Sequence, residues 1–455
     1  MSHRLPETTT TRASFGARLG ILVMVAAGFA LTMVVFYPGY MTTDAGYVYR
    51  FMQEWSFGDW QSPLMSMLWG LIDPIAPGPG SMFLLFATLY WLAFAVIALT
   101  AARRSAGLGL VVPLLALVPP AFMLLVMIWR DVLFGAIWLF AAALVYACAD
   151  RSALLRWSAA GVALSLIGFG VLLRPNAITA APLLAAYALW PTRFDWRRVA
   201  ILYLPALAIG YAFVHLVYYT VLDVKREHPL HSLLVFDLGG ITHFSGENQF
   251  PVSWTAEQTA LLTSRCYNPD RWDSYWTTEP CLFVMQRLER PDDVIFGTPR
   301  LTAAWWRAVT GHPLAYLRHR LTYFWTFLAN PNALTLQLFG ADDPTKTPLA
   351  DNRAFKAVVA LHDLLKTTFV FRPWFWLVVA AISFALAAPA RTTPSGALAM
   401  GVAGSAILYV TTYLPIGVAS DFRYGYWCVL ASLVGVVALS LAYRERSLAV
   451  PGARL

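Results

Sequence analysis

Charge is what this sequence has least of. Asp, Glu, Lys and Arg make up 13% of its 455 residues, against about a quarter in an ordinary soluble domain. A water-soluble globular chain of this length is thereby excluded. Cysteine is also scarce, at four residues, and the eight histidines are scattered. Neither a cysteine-stapled scaffold nor a zinc site with regular ligand spacing is written into the chain. No internal repeat and no glycine-rich phosphate loop occur, and the only low-complexity stretch is Thr8–Thr11.

What fills the sequence instead is apolar. Hydrophobic residues reach 58% and aromatics 15%. Repeated runs of about 17 to 25 residues without a charge are long enough to cross a bilayer as helices. Ten such spans are read: Leu19–Phe36, Ser81–Ala102, Ser105–Trp129, Val132–Ala149, Trp157–Leu173, Asn176–Pro191, Val199–Leu222, Pro373–Ala390, Thr392–Pro415 and Gly425–Tyr443. The expected fold is an all-α polytopic membrane protein. The first run ends in Tyr37-Pro38-Gly39 without a small-residue cleavage site, as expected of an anchor.

Basic residues orient the bundle. With the N-terminus in the cytoplasm, fourteen arginines fall in tails and inner loops, from Arg4, Arg12 and Arg18 through Arg103, Arg104, Arg151, Arg156, Arg193, Arg197, Arg198 and Arg391 to Arg444, Arg446 and Arg454. The short outer loops hold Arg50, Arg130, Arg174 and Arg423. This bias places both termini inside. The net charge of +8 then follows topology and gives no reason to expect a nucleic-acid partner.

Three regions result: an N-terminal membrane module over 1–222, an outer segment over 223–372, and a C-terminal membrane module over 373–455. The outer segment is too long for a bare loop. Within it, Pro313–Leu328 and Ala354–Phe371 read as interfacial helices or as a further pair of spans, giving ten to twelve in all. Arg318-His319-Arg320 argues against the first lying deep in lipid. Cys266 and Cys281, fifteen residues apart on the oxidising side, are either a disulfide or two separate thiols, with the compartment favouring the bridge.

The stretch Tyr37–Trp69 joins the first two spans. Aromatic and aliphatic residues recur at helical spacing over Ala45–Trp55 and Leu64–Ile72, which predicts two short surface helices. Asp44 and Asp59 stand about where these helices begin, and either acid suits an N-terminal cap. The remaining charges at outer span ends come in company: Arg130-Asp131, Arg174-Pro175-Asn176 and Asp421-Phe422-Arg423-Tyr424. Connections this short put their charges at the membrane boundary, where an ionised side chain turns to the protein interior, to a wet cavity or to the headgroups. A carboxylate there can act as general base towards a hydroxyl, and arginines can pair a phosphate. Together they fit a lipid phosphate whose headgroup lies outside. Trp254, Trp272, Tyr275, Trp276, Trp305 and Trp306 in the outer segment either stack on sugar rings or mark the membrane interface.

These residues resemble the GT-C class of integral-membrane glycosyltransferases, which includes protein O-mannosyltransferases and aminoarabinose transferases. The resemblance is carried by Y37-P-G-Y-M-T-T-D44, D59-W-Q-S-P63, W129-R-D131-V-L-F134, L173-R-P-N176, H312-P-L-A-Y-L317-R and D421-F-R-Y424. It implies a GT-C-like bundle, an outward-facing cavity, a polyprenyl-phosphate-linked sugar as donor, and inverting transfer to a hydroxyl of a glycan, lipid or protein. It implies Asp44 as the catalytic base and Arg423 near the donor phosphate. It implies polar rim positions, expected to bind substrate, at Asp59, Arg130, Asp131, Arg174, Asn176, Asp421 and Tyr424. Gln61-Ser62-Pro63 departs from the His-Pro turn of many members, and Ala45 stands where a doubled acid would follow Asp44. A divalent metal is therefore open but unsupported, and no cofactor is firmly implied. The alternative is a transporter or flippase of a lipid-linked sugar. Such a protein would carry ionisable residues at mid-span, whereas His215 alone stands there. The expected location is the inner, cytoplasmic membrane, with the active site on its outer side.

Overall fold

The computed structural model describes residues 15–338 and 348–449. Arg4, Arg12 and Arg454, on which part of the charge bias rests, lie outside the described residues, as does Thr8–Thr11. The chain is 76% helical, with no strand among the described residues. It is an all-α polytopic membrane protein.

Among the described residues, eight helical stretches are long and apolar enough to cross a membrane. In chain order, α1 (Phe15–Phe36) leads to the two surface helices α2 (Thr43–Glu54) and α3 (Pro63–Ile72), then to α4 (Pro79–Ala102). The expected span Ser105–Trp129 is broken. Its halves, α5 (Ala106–Leu115) and α6 (Pro119–Met123) with a 3-10 turn to Val126, meet at 54°. Pro113 inside α5 and the Pro119-Pro120 pair remove amide donors and account for the bend. Next come α7 (Arg130–Cys148) and α8 (Ala153–Leu173).

The expected span Asn176–Pro191 is only a 3-10 turn over Pro175–Thr179 followed by α9 (Ala181–Leu189), too short to count among the eight. The chain nevertheless passes here from the rim holding Arg174 to the opposite one, where Phe194 N donates to Arg391 O at 2.8 Å. α10 (Trp196–His215), extended by a π-helical turn to Val221, returns it. The segment 223–372 contributes α11 (Leu230–Ser245), α12 (Ala256–Ser264), α13 (Phe283–Leu288), α14 (Pro299–Gly311), α15 (Pro313–Ala329) and α16 (Arg353–Leu365). None of these six qualifies as a span. The last crossings are α17 (Pro373–Ala387), α18 (Pro394–Ile416) and α19 (Tyr426–Ala449).

Burial ranks the spans. The hydrophobic windows of α7, α18 and α19 are 78%, 72% and 83% buried, whereas that of α10 is 6% buried. The first three are the centre of the bundle, and α10 is a peripheral helix clad in aliphatic side chains such as Ile201, Leu204 and Ile209.

The two rims differ chemically. On the far rim, Arg104 pairs with both Asp150 and Glu445, and Glu445 in turn accepts from Ser395 at the start of α18. On the near rim, which carries the large segment, Asp44, Asp131 and Asp421 come together with Arg130, Arg174, Arg271 and Arg423. Cys266 and Cys281 are joined by a disulfide, closing a fifteen-residue loop around Arg271 and Trp272.

Candidate active site on the near rim

The first loop is locked onto the start of α7 by backbone pairing. Tyr40 N donates to Val126 O at 2.7 Å, and Ile128 N donates back to Tyr40 O at 3.2 Å. Trp129 Nε1 adds a bond to Thr42 Oγ1 at 3.0 Å. Thr42, not Asp44, is the N-cap of α2, accepting from Ala45 N. Asp44 sits in the first turn with its carboxylate free to face away from the helix. Oδ2 accepts from Arg423 Nη1 at 2.6 Å and Oδ1 from Gln61 Nε2 at 3.2 Å.

Asp59 is likewise no cap. α3 begins at Ser62, whose hydroxyl accepts from Met65 N, with Pro63 in the first helical position. Asp59 instead binds the start of the large segment and the end of α10: Oδ1 accepts from Glu227 N at 2.6 Å and Oδ2 from Tyr219 OH at 2.8 Å. It is a strut that holds Trp60 and Gln61 against Asp44, aided by Trp60 N donating to Glu227 Oε2.

Arg423 is reached from 379 residues away, so its placement needs its own explanation. The stretch Gly417–Phe422 is clamped by the large segment through the backbone of Gly417, Val418, Ala419 and Phe422. Arg320 Nη1 donates to Gly417 O at 2.7 Å, Trp272 N to Val418 O at 2.9 Å, and Tyr323 OH to Ala419 O at 2.9 Å. Phe422 N donates to Leu334 O at 2.8 Å. Gly417 is required for this approach, because a Cβ there would meet Tyr323 OH at 1.9 Å. Arg320 is itself anchored by the buried carboxylate of Asp237, which also accepts from Trp305 Nε1 at 2.7 Å and stands 3.1 Å from His319. The basic run 318–320 is therefore split: Arg318 lies over the Phe244 ring, while His319 and Arg320 turn inward.

Around Asp44 the charges alternate. Arg423 bridges Asp44 and Asp421, the latter at 3.1 Å, and Asp421 faces Arg271 at 3.6 Å. Arg423 lies over the Trp129 ring and beside Tyr424. On the other side of Tyr424 stands Arg174, paired with Asp131 at 2.5 Å and donating to Tyr413 OH at 3.0 Å. Arg130 donates to Trp60 O at 3.3 Å. Burial pushes the Asp44 carboxyl up. The Arg423 guanidinium, by charge and by hydrogen bond, outweighs that together with Arg130 and Arg174, and holds it below the ordinary aspartate value. Asp421 goes the other way, because burial outweighs Arg423 and Arg271.

Asp44, Gln61, Trp129, Arg130 and Arg423, with Ala45, Val48, Met65 and Ile128, line a pocket. Its void is ≈ 10 Å³ counted as space for a water's centre, so it admits little more than one water. Of the residues expected on the rim, Asp44, Arg130 and Arg423 face this pocket. Asp131, Arg174 and Tyr424 support it from behind, and Asp421 links it to Arg271. Asn176 stands apart, its Nδ2 buried without a hydrogen-bond partner. Gln61, Arg271, Tyr413 and the Arg320–Asp237 anchor were not expected. Gln61 stood in the D59-W-Q-S-P63 stretch, Arg271 beside the Trp272 indole of segment 223–372, and Arg320 in the basic run 318–320, whereas Tyr413 and Asp237 carried no sequence signal. Among the described residues, no three His, Cys, Asp or Glu side chains are grouped to hold a metal.

The Asp131–Arg174 pair is buried on both sides. Asp131→Ala leaves a guanidinium without its partner in the bundle, so a loss of about 3–5 kcal/mol is expected, read as a lower melting temperature of the purified protein. An unchanged melting temperature would show that Arg174 finds other compensation.

No known protein-family model, no curated protein and no solved structure matches this chain. The geometry of the rim therefore stands by itself.

Proposed function

We propose that the protein is a membrane glycosyltransferase of the GT-C type. It moves a sugar from a polyprenyl-phosphate donor to a hydroxyl acceptor at the outer face of the cytoplasmic membrane. The observation that carries this reading is the pairing of Asp44 with Arg423 in a pocket that Arg130 also lines, at the membrane boundary. A carboxylate beside two guanidiniums supplies both a proton acceptor and a phosphate clamp, and a lipid-linked donor presents its phosphate at that depth.

In the proposed reaction the acceptor oxygen bonds to the anomeric carbon as the bond from that carbon to the phosphate oxygen breaks. The hydroxyl proton goes to Asp44, and the bonding electrons leave with the polyprenyl phosphate. Attack from the side opposite the departing phosphate inverts the anomeric centre. The small pocket and the Asp44–Arg423 pair imply an order of events. While paired, Asp44 is a weak base. A phosphate arriving between Arg130 and Arg423 widens the pocket and draws Arg423 off Asp44, which restores basicity to the carboxylate as the donor seats. Desolvation of the half-buried Asp44 carboxyl, opposed until then by Arg423, acts in the same direction.

The direct test is mass spectrometry of envelope lipids and glycans from a strain lacking the protein, where one glycan or lipid is expected to lose a single monosaccharide. Intact glycans together with an altered distribution of lipid-linked sugar across the membrane would favour a flippase. Topology is tested by reporter fusions. Arg103, Arg156, Arg197 and Thr393 are expected to read cytoplasmic, and Asp59, Trp272 and Ser420 external. A cytoplasmic signal at Trp272 would put the site on the wrong side for a donor presented outside.

A further inference from the structure

Beside the pocket, three indoles are arranged in a row. Trp60 and Trp272 have ring centroids 6.0 Å apart, and Trp272 and Trp276 are stacked at 5.7 Å with 26° between planes. Trp272 is the buried middle member, Trp60 is partly exposed, and Trp276 is 45% exposed. Two short routes connect the row to Asp44. Trp60 precedes Gln61, which donates to Asp44, and its carbonyl is held by Arg130. Trp272 follows Arg271, which faces Asp421, the second acid on Arg423.

The charge changes sign between pocket and row. Arg130 and Arg423 line the pocket. Around the indoles, Asp270, Asp273 and Asp421 surround a single arginine, Arg271. Asp273 accepts from Trp276 Nε1 at 3.3 Å, which fixes the indole's orientation, and its side chain is 35% exposed. Asp421 is nine-tenths buried, and its Oδ1 has no hydrogen-bond partner. Arg271 Nη2, 3.6 Å from that oxygen, is beyond bonding distance. The Arg271 charge compensates that oxygen, but its hydrogen-bonding capacity is unused and suits a hydroxyl.

We propose that Trp60, Trp272 and Trp276, with Asp273, Arg271 and Asp421, form the acceptor subsite, which binds an uncharged pyranose ring. The exposed indole face stacks on the ring's C–H face, while Asp273 and Asp421 accept from its hydroxyls. Phosphate is excluded by the three acids, so donor and acceptor are sorted by charge: phosphate to the arginines of the pocket, neutral sugar to the acidic indole row. The word acceptor rests on the transferase reading, but the binding of a sugar does not. The disulfide Cys266–Cys281 closes the loop that carries Arg271 to Trp276 and confines the subsite.

The test is saturation-transfer NMR on the full chain in phosphatidylcholine nanodiscs, since a maltoside detergent would compete. The probes are maltose, cellobiose and N,N′-diacetylchitobiose. At least one disaccharide is expected to receive saturation at its ring C–H protons. Trp276→Ala is expected to weaken that binding at least about fivefold, in line with the worth of an aromatic contact, and Trp276→Phe to keep most of it. Trp306→Ala, which removes an exposed indole elsewhere in the segment, is expected to leave it unchanged. The proposal is overturned if no disaccharide gives a signal that depends on Trp276, or if Trp306→Ala weakens binding equally. Failure here with Asp44-dependent transfer intact removes the subsite alone. Trp276-dependent binding without any transfer removes the transferase reading and leaves a sugar-binding site.

Discussion

Asp44→Asn is expected to lower sugar transfer by about a hundredfold or more, within the range for general base catalysis, while donor binding is largely retained. Asn keeps the shape of the side chain and can still accept from Gln61, but it cannot take a proton from a hydroxyl. Helix capping does not confuse the result, because Thr42 holds the cap of α2 and Asp44 makes its bonds to Arg423 and Gln61. Asp59→Asn is the comparison, and a smaller loss is expected there. Its oxygens tie Trp60 and Gln61 to the segment through Glu227 and to the end of α10 through Tyr219, and an amide oxygen can keep the Glu227 bond. Transfer assays on both variants at equal membrane levels separate the two roles. Wild-type activity in Asp44→Asn would remove this residue from the mechanism.

The pH dependence follows from the direction of the Asp44 shift. A carboxyl held below its ordinary value of about 4 stays ionised down to acid pH, so the free protein should show no loss of base near neutrality. The pair with Arg423 likewise contributes stability that is present above the unfolded carboxyl's value and is lost as pH falls through the lowered one.

Arg423→Ala is expected to cost on the order of 3 kcal/mol of transition-state stabilisation, or roughly a hundredfold in rate, by leaving charge on the departing phosphate less compensated. Lys at this position should recover only part. Its ammonium can meet one partner but cannot span Asp44 and Asp421 with separate nitrogens as the guanidinium does. Arg423→Ala also removes the main opponent of burial at Asp44, so the acid limb of the rate profile is expected to move to higher pH. A variant that folds, keeps full transfer and keeps the wild-type pH profile would return Arg423 to the role of a structural ion-pair partner. The shift of the limb distinguishes a guanidinium that sets the base from one that only holds the loop.

The sequence by itself determined the membrane class, most of the spans and the two surface helices of the first loop. These follow from composition and from periodicity over ten to twenty residues, and both are local. It also marked the rim charges, because a connection of two or three residues between apolar helices leaves an Arg or Asp no place except the boundary. Only the tertiary structure decided how those charges are distributed. Asp44 and Asp59 look alike in the sequence, each in a polar turn before an apolar run. One meets Arg423 in a pocket and the other binds Tyr219 and a backbone amide, because Thr42 and Ser62 took the capping positions. The same holds for Asp131 and Arg174, which pair with each other behind the pocket. The placement of Arg423 depends on Arg320, Trp272 and Tyr323 holding three successive carbonyls from across the chain. No local pattern encodes such contacts. They arise when buried backbone acceptors must find donors, and the donors here stand between 96 residues (Tyr323 to Ala419) and 146 residues (Trp272 to Val418) away in sequence.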